Sequence, residues 1–328
     1  MADKKKKILV IRLGAIGDVV HTTIIPKAIK LKHPDYEIHY LTQNEIAPIL
    51  DNNPYIDKVI PMITKKKKDN KYLIELGMEL FKERYDTVFC LTNALRTLLF
   101  ATMCLPKRIV LKHEGKGLWV ENFFKTAKKA IKDIELPDSL TLGVNEEADQ
   151  KVEAYLEKYQ RPYTMIVPGG GTDSHRQGRV WNIRNWAELS DKILSEYGGT
   201  VFVCGDKYEK QFHQQLEKEN VVVTSGLFNL GGSSALLSKA DLVVSGDTGP
   251  IHIASAHGVN VLSLLGSTSP DKIKPYGKNG YFISSDYECK YCWKKKCRLL
   301  KNGAKYTPCM ESLTSDAVFD FIKSNGLL

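Results

Sequence analysis

The segment Asp241-Leu-Val-Val-Ser245 is an apolar run, and it passes directly into Gly-Asp-Thr-Gly-Pro-Ile-His-Ile-Ala-Ser-Ala-His-Gly258. A short run that apolar, bounded by turn residues, reads as a strand buried on both faces, which is the environment of a parallel sheet. The small residues that follow read as a helix, with Pro250 in the first turn, where a missing N–H costs nothing. Asp247, Thr248 and Gly249 then occupy a strand-to-helix turn. Backbone N–H groups and the positive end of a helix dipole face outward at such a turn, which suits a phosphate or diphosphate. Gly249 would let the backbone approach the anion, and Thr248 adds a hydroxyl. An ordinary tight turn with Asp247 or Thr248 as helix cap is the competing reading.

The same plan recurs along the chain of 328 residues. Strands are expected at 6–13, 39–42, 58–60, 87–91 and 108–111, with helices at 19–32, 72–83 and from about 94. A second series has strands at 163–167, 200–204, 221–224, 241–245 and 260–264. Its helices are expected at 183–196, 206–219, 233–239, 250–257 and 313–324. Alternation of this kind predicts an α/β protein made of two doubly wound domains, each a parallel sheet with helices on both faces. We place the domains at 1–158 and 159–328, with a cysteine-rich insert at 286–312 and a closing helix at 313–325. Ligands are expected at the carboxyl ends of the strands, in the crevice between the two domains.

Net charge is +9, divided almost evenly between the two halves of the chain. An excess spread in this way suits anionic partners such as nucleotides, phosphorylated glycolipids or a membrane surface. Nothing resembles a module that reads nucleic acid with interleaved basic and aromatic side chains, so no nucleic acid partner is expected. No apolar run is long enough to span a bilayer. The apolar stretch after the basic start is short and interrupted by Arg12, unlike a signal peptide, so a cytoplasmic location is expected. The segment 117–134 carries Trp119, Phe123, Phe124 and Ala127 at helical spacing, interleaved with Lys125, Lys128 and Lys129. It is either a helix packed into the core or a basic amphipathic helix on a membrane. Residues 107–132 hold eight Lys/Arg against two Asp/Glu, a charge that would attract anionic lipid.

Three further constellations carry chemistry. The first turn has Gly14, Gly17 and Asp18, without the third glycine of a dinucleotide fingerprint. Asp18 opens a helix, where the dipole favours a carboxylate. It is a helix cap or, facing the crevice, a base for an attacking hydroxyl. Arg12, at the end of the first strand, either binds an acceptor phosphate or carboxylate or is a solvated or ion-paired arginine. Next, Pro168-Gly-Gly-Gly-Thr172 with Arg179 opens the backbone beside a guanidinium that can fork to phosphate; a flexible loop with a solvated arginine is the alternative. His252 is read as a crevice-facing donor, and His257 as packing. Finally, Cys289, Cys292, Cys297 and Cys309 lie within one short stretch. They are either ligands of a structural metal, zinc before iron–sulfur, or unligated thiols or redox disulfides.

Ile11-Arg-Leu-Gly-Ala-Ile-Gly-Asp-Val-Val-His21, Val180-Trp-Asn-Ile-Arg-Asn-Trp186 and Gly246-Asp-Thr-Gly-Pro-Ile-His-Ile-Ala-Ser-Ala256, taken together, resemble the heptosyltransferases of glycosyltransferase family 9. The resemblance implies a GT-B fold, with an acceptor domain first and a nucleotide-sugar domain second. It implies inverting transfer of heptose from ADP-heptose to the lipid A–Kdo inner core of lipopolysaccharide, at the inner face of the inner membrane. Asp18 matches the base position, with Arg12 and Gly17 beside it on the acceptor side. Arg179, Asp247, Thr248 and Gly249 match the diphosphate site, Thr172 a phosphate-side hydroxyl and Glu209 an acidic residue near the adenosine ribose. No Asp-x-Asp pair sits at a strand end, so transfer without a catalytic metal is expected. Another nucleotide-sugar transferase, or an epimerase, remains the alternative.

Overall fold

The computed structural model describes residues 6–67, 69–92, 94–169, 178–294, 296–300, 304 and 306–328. The chain divides into two units, residues 1–145 and 146–328.

The first unit runs β1 (Lys7–Ile11), α1 (Ile16–Thr22), α2 (Ile24–Lys32), β2 (Glu37–Gln43), β3 (Lys58–Met62), α3 (Asn70–Lys82), β4 (Thr87–Cys90), α4 (Leu95–Met103), β5 (Arg108–Leu111) and α5 (Trp119–Ala130). Its strands pair in the order β3-β2-β1-β4-β5, all parallel. The helix expected over 19–32 is two helices. Pro26 has no N–H for the carbonyl four residues earlier, and a short turn from Thr23 N–H to the Val20 carbonyl (3.1 Å) separates them. Leu76, Leu80, Phe100, Ala101 and Cys104 of α3 and α4 pack on Leu9, Ile11, Leu41 and Val88 to form the core on one sheet face. Helix α5 packs with α1 and α2. Val120, Phe123, Phe124 and Ala127 are buried while Lys125, Lys128 and Lys129 are exposed, so the core reading of this segment holds and its apolar stripe is not available to a membrane.

The second unit runs α6 (Glu146–Leu156), β6 (Tyr163–Val167), α7 (Ile183–Tyr197), β7 (Thr200–Val203), α8 (Lys210–His213), β8 (Val221–Val223), α9 (Leu230–Ser238), β9 (Leu242–Gly246), α10 (Gly249–Ala256), β10 (Asn260–Leu265), α11 (Pro270–Ile273), β11 (Gly280–Ser284), α12 (Pro308–Glu311) and α13 (Ser315–Ser324). The sheet order is β11-β10-β9-β6-β7-β8, again all parallel. In each unit the order reverses beside the first strand, between β1 and β4 and between β6 and β9. These are the switch points at which open α/β sheets hold ligands.

Side chains set the helix starts. The carboxylate of Asp69 accepts from Tyr72 N–H (3.2 Å), and the amide oxygen of Asn182 from Arg184 N–H (3.0 Å). Asn229 and Thr314 cap α9 and α13 in the same way, each worth about 1 kcal/mol. Trp181 and Trp186 meet edge to face at 4.9 Å. Around them gather Leu189, Ile193 and Val244, with Val318, Ile322 and Leu327 from the end of the chain.

Two expectations are corrected. The division falls at 145/146 and not at 158/159, because α6 packs on α9 and ties itself there through Lys239, which pairs with Asp149 (2.8 Å) and Glu153 (2.7 Å). The helix expected over 206–219 is only α8 followed by a single 3-10 turn at Gln214–Leu216. Past it, Lys218 and Val221 exchange two backbone hydrogen bonds as an antiparallel bridge that closes the turn into β8. No helix among the described residues is long and apolar enough to cross a membrane.

Candidate functional site

At the switch point of the first unit, Arg12 leaves the end of β1. It donates one N–H to the carbonyl of Leu91, just past β4, and another to the Asp18 carboxylate. Asp18 lies in the first turn of α1, one residue after the half-buried Gly17. The ion-paired reading of Arg12 is therefore the one the structure takes. Its guanidinium fixes the Asp18 carboxylate and stitches two strand ends together, so acceptor binding by Arg12 would require sharing that pair. Beneath it, Tyr40 is fully buried, its hydroxyl 2.5 Å from that of Thr22. Burial is the main cause holding its phenol well above the ordinary range.

At the switch point of the second unit, β9 ends in the turn singled out by sequence. Thr248 is the N-cap residue of α10, yet its hydroxyl does not cap the helix. It bonds Ser245 Oγ at 2.8 Å, and Ser245 Oγ donates to the Val167 carbonyl (3.3 Å), linking the turn to β6. Asp247 is buried and pairs with Arg179, Nη2 to Oδ2 at 3.0 Å, while Arg179 Nη1 donates to the Asp247 carbonyl at 3.3 Å. The Thr248 side chain does not cap α10, and the start of a helix left uncapped by its N-cap residue is suited to an anion. His252 is buried behind the turn, Nε2 3.8 Å from Asp247 Oδ1. It backs the turn and is not the open donor expected.

Close packing holds Arg179 in place. A methyl on Gly246 would stand 2.6 Å from the Arg179 carbonyl oxygen, and one on Gly178 2.5 Å from Ser267. The Gly178 carbonyl accepts from both the N–H and the hydroxyl of Ser267, each at 3.1 Å. The expected site residue Thr172 lies outside the described residues.

Glu209 stands half-buried just before α8. Its Oε2 accepts from Asp206 N–H at 3.1 Å, and its Oε1 lies 3.9 Å from where a Gly169 methyl would stand. The glycine turns after β6 and β7 thus adjoin this carboxylate. Sequence reasoning missed His213, four residues on and so on the same side of the chain. It is fully buried, with Nδ1 2.6 Å from Ser225 Oγ. Burial, the largest cause, pushes its pKa down to about 4. The signal available was the i, i+4 spacing from Glu209.

The four insert cysteines are free thiols, Cys309 buried, Cys289 and Cys297 half-buried, and Cys292 exposed. Burial chiefly raises the Cys309 thiol, and Cys289, Cys297 and Cys292 each add to the rise, yet no three of the four sulfurs lie within 4.8 Å of one another. The insert is fastened to the donor side, since Tyr291 and Trp293 donate backbone N–H to the carbonyls of Gly266 (3.0 Å) and Ser267 (2.8 Å). Among the described residues, the metal-capable side chains whose ligand atoms lie within 4.8 Å of one another are Glu37, His39 and Glu83, in the first unit. There Lys7 Nζ already sits 3.1 Å from Glu37 and 2.7 Å from Glu83, and supplies the cation.

Two tandem Rossmann-type sheets, with a carboxylate at one switch point and an arginine-braced turn at the other, are the architecture of a GT-B enzyme. Residues 73–302 match the model of glycosyltransferase family 9 (heptosyltransferase), and the chain belongs to that family. Its relatives include the lipopolysaccharide core heptosyltransferase OpsX of Haemophilus influenzae, 23% identical over 85% of this chain and 84% of that protein. Among solved structures, the family 9 glycosyl transferase of Veillonella parvula superposes with a TM-score of 0.84 at 17% identity, covering 99% of this chain and 98% of that one. E. coli heptosyltransferase WaaC with ADP-2-deoxy-2-fluoro heptose superposes at 0.71 and 19% identity, covering 97% and 99%. The iron-containing dodecameric glycosyltransferase TibC of E. coli superposes at 0.58 and 16% identity, covering 98% of this chain and 76% of that one.

Proposed function

We propose that this chain transfers a heptose from ADP-heptose to the Kdo/heptose inner core of lipopolysaccharide, with inversion, working peripherally at the inner face of the inner membrane. The observation that carries the reading is the uncapped turn Ser245–Gly249 with Arg179 held over it by Asp247. Family membership and the ADP-heptose analogue bound by WaaC support the choice of donor.

In this reading an acceptor hydroxyl attacks the anomeric carbon and gives its proton to Asp18, while the bond to the diphosphate breaks and ADP leaves. Negative charge grows on the departing phosphate, where a fixed cation and preorganised amides are worth most. Arg179, Thr248 and the amides from Gly249 onward meet that charge, so no divalent ion is needed at the diphosphate. Thr172 adds a hydroxyl, His252 supports Asp247, and Glu209 accepts from the ribose. Arg12 orients Asp18, and with Gly17 borders the acceptor.

Cys289, Cys292, Cys297 and Cys309 would hold a zinc ion in a structural role. Four thiols suit a thiophilic ion and leave no open position for chemistry, and their sulfurs would draw together around it. The iron in TibC makes iron the competing occupant.

The test is a panel of ADP-, GDP- and UDP-sugars with the wild-type chain and Asp18→Asn. Transfer from ADP-heptose by the wild type alone, with ADP affinity equal in both, is the expected result. Full turnover by Asp18→Asn removes the base assignment. Conversion of a free nucleotide sugar without acceptor favours an epimerase.

A further inference from the structure

Eight of the fifteen large apolar side chains that stand exposed among the described residues fall between residues 63 and 111. Helix α4 explains why. Thr97, Phe100, Ala101 and Cys104 face the sheet and are buried. Leu95, Leu98 and Leu99 lie on the outer side at 82%, 38% and 48% exposure. A helix that is apolar on both faces is incomplete in water. Helix α3 continues the outer patch with Ile74 and Met78, at i and i+4 and 54% and 50% exposed. The two helices touch tightly, since a methyl on Gly77 would run into Met103, so their outer faces merge. Patches of this kind mark interaction sites.

The surrounding charge selects the partner. Residues 63–112 hold eleven Lys/Arg against five Asp/Glu. Lys65, Lys66, Lys67 and Lys71 are exposed at the start of α3. Both α3 and α4 begin at the carboxyl ends of their strands, the sheet edge that carries Asp18. Glu75 and Glu79 are exposed beside Ile74 and Met78, and Glu75 lies one turn from Lys71, so the basic excess is carried by the lysines that precede α3 and by Lys71. A partner that is flat, anionic at its surface and apolar just below fits lysines beside leucines.

We infer that the outer face of α3 and α4 docks on an anionic phospholipid surface, with Leu95, Leu98, Leu99, Ile74 and Met78 entering the interface and Lys65–Lys67 at the headgroups. This rests on the reading that the acceptor is membrane-borne. It moves the contact away from α5, whose aromatic side chains are spent in the core.

The test is co-sedimentation of the full chain with vesicles of phosphatidylglycerol and phosphatidylethanolamine, against vesicles of phosphatidylcholine alone. The wild-type chain should bind the anionic vesicles and leave the neutral ones. Leu98→Glu with Leu99→Glu should weaken binding about tenfold or more. Lys65→Glu, Lys66→Glu and Lys67→Glu together should do the same and flatten its salt dependence. The corresponding triple change at Lys125, Lys128 and Lys129 should weaken it less. Sugar transfer to a water-soluble acceptor fragment should be unaltered in the leucine variant. Wild-type protein left in the supernatant, or a leucine variant that pellets like wild type, overturns the inference. So does a wild-type dimer that the leucine changes dissolve, which makes the face a subunit interface. If the wild type pellets with anionic vesicles but transfers nothing to the soluble fragment, the heptosyl assignment fails and the lipid contact stands.

Discussion

Gly246→Ala isolates the close packing that positions Arg179. Gly246 is the last residue of β9 and has no left-handed backbone, so alanine is conformationally acceptable and the whole effect is steric. The new methyl would lie 2.6 Å from the Arg179 carbonyl oxygen, against the 3.4 Å at which ordinary contact begins. The 178–179 backbone must therefore retreat by about 0.8 Å, the difference of those two distances. Arg179 is ion-paired with the Asp247 carboxylate at 3.0 Å and donates to the Asp247 carbonyl at 3.3 Å, and the same displacement takes the latter beyond hydrogen-bonding range. Overpacking of this kind costs about 1–3 kcal/mol, or roughly 2–4 °C of melting temperature per kcal/mol for a unit of this size. Loss of a charge-assisted contact to the diphosphate should weaken ADP about 10- to 100-fold. Calorimetric titration with ADP and a thermal melt read the two effects separately. Gly258→Ala is the control: its φ is +79° with nothing within 4 Å of the added methyl, so it should lower the melt and spare ADP affinity. If Gly246→Ala binds ADP within about twofold of wild type, the braced-turn argument is wrong.

His213 should make the second unit acid-sensitive. Its folded pKa of about 4 lies below the ordinary 6.5, so the unfolded chain takes up the proton first as pH falls. The neutral histidine's contribution is complete above about pH 6.5 and is lost progressively down to about pH 4, amounting to roughly 3 kcal/mol. His213→Gln should flatten that part of a melt-versus-pH curve, and an unchanged curve would exclude His213 as the cause. Trp181→Phe removes the Nε1–H that donates to the Leu313 carbonyl at 2.6 Å. The carbonyl keeps a longer bond from Asn185 Nδ2 (3.3 Å), so the loss should be that of one net hydrogen bond, about 0.5–1.5 kcal/mol in urea unfolding. For the insert, metal analysis of the purified chain should find one zinc, and Cys309→Ser should lose it; no stoichiometric metal refutes the ligand set.

The strands and the strand-to-helix turn at 246–249 were legible because each is a local pattern: an apolar run, a glycine, a small-residue helix start. Pairings across the chain were not. Arg12 and Asp18 are only six residues apart, yet their meeting depends on how the chain leaves β1 and re-enters α1. Arg179 and Asp247 are 68 apart and meet because β9 and β6 are neighbours in the sheet. Helix 117–134 was ambiguous because an amphipathic stripe looks the same against a core as against lipid. Its aromatic side chains pack inward, while α4 is expected as a helix from about 94 but its exposed leucines are not, because a short apolar stretch does not say which side stays in water. The domain boundary slipped by thirteen residues because nothing in Glu146–Leu156 announces which neighbour it will pack on; Lys239, far along the chain, decides it.

The core of the second unit draws Val318, Ile322 and Leu327 into contact with the tryptophans of α7 and its approach. During synthesis the first unit has all its strands once residue 111 is out, and it can settle while the rest is still being made. The second unit waits for its final dozen residues. Nicking before Val318 should therefore cost the second unit its stability while leaving the first standing.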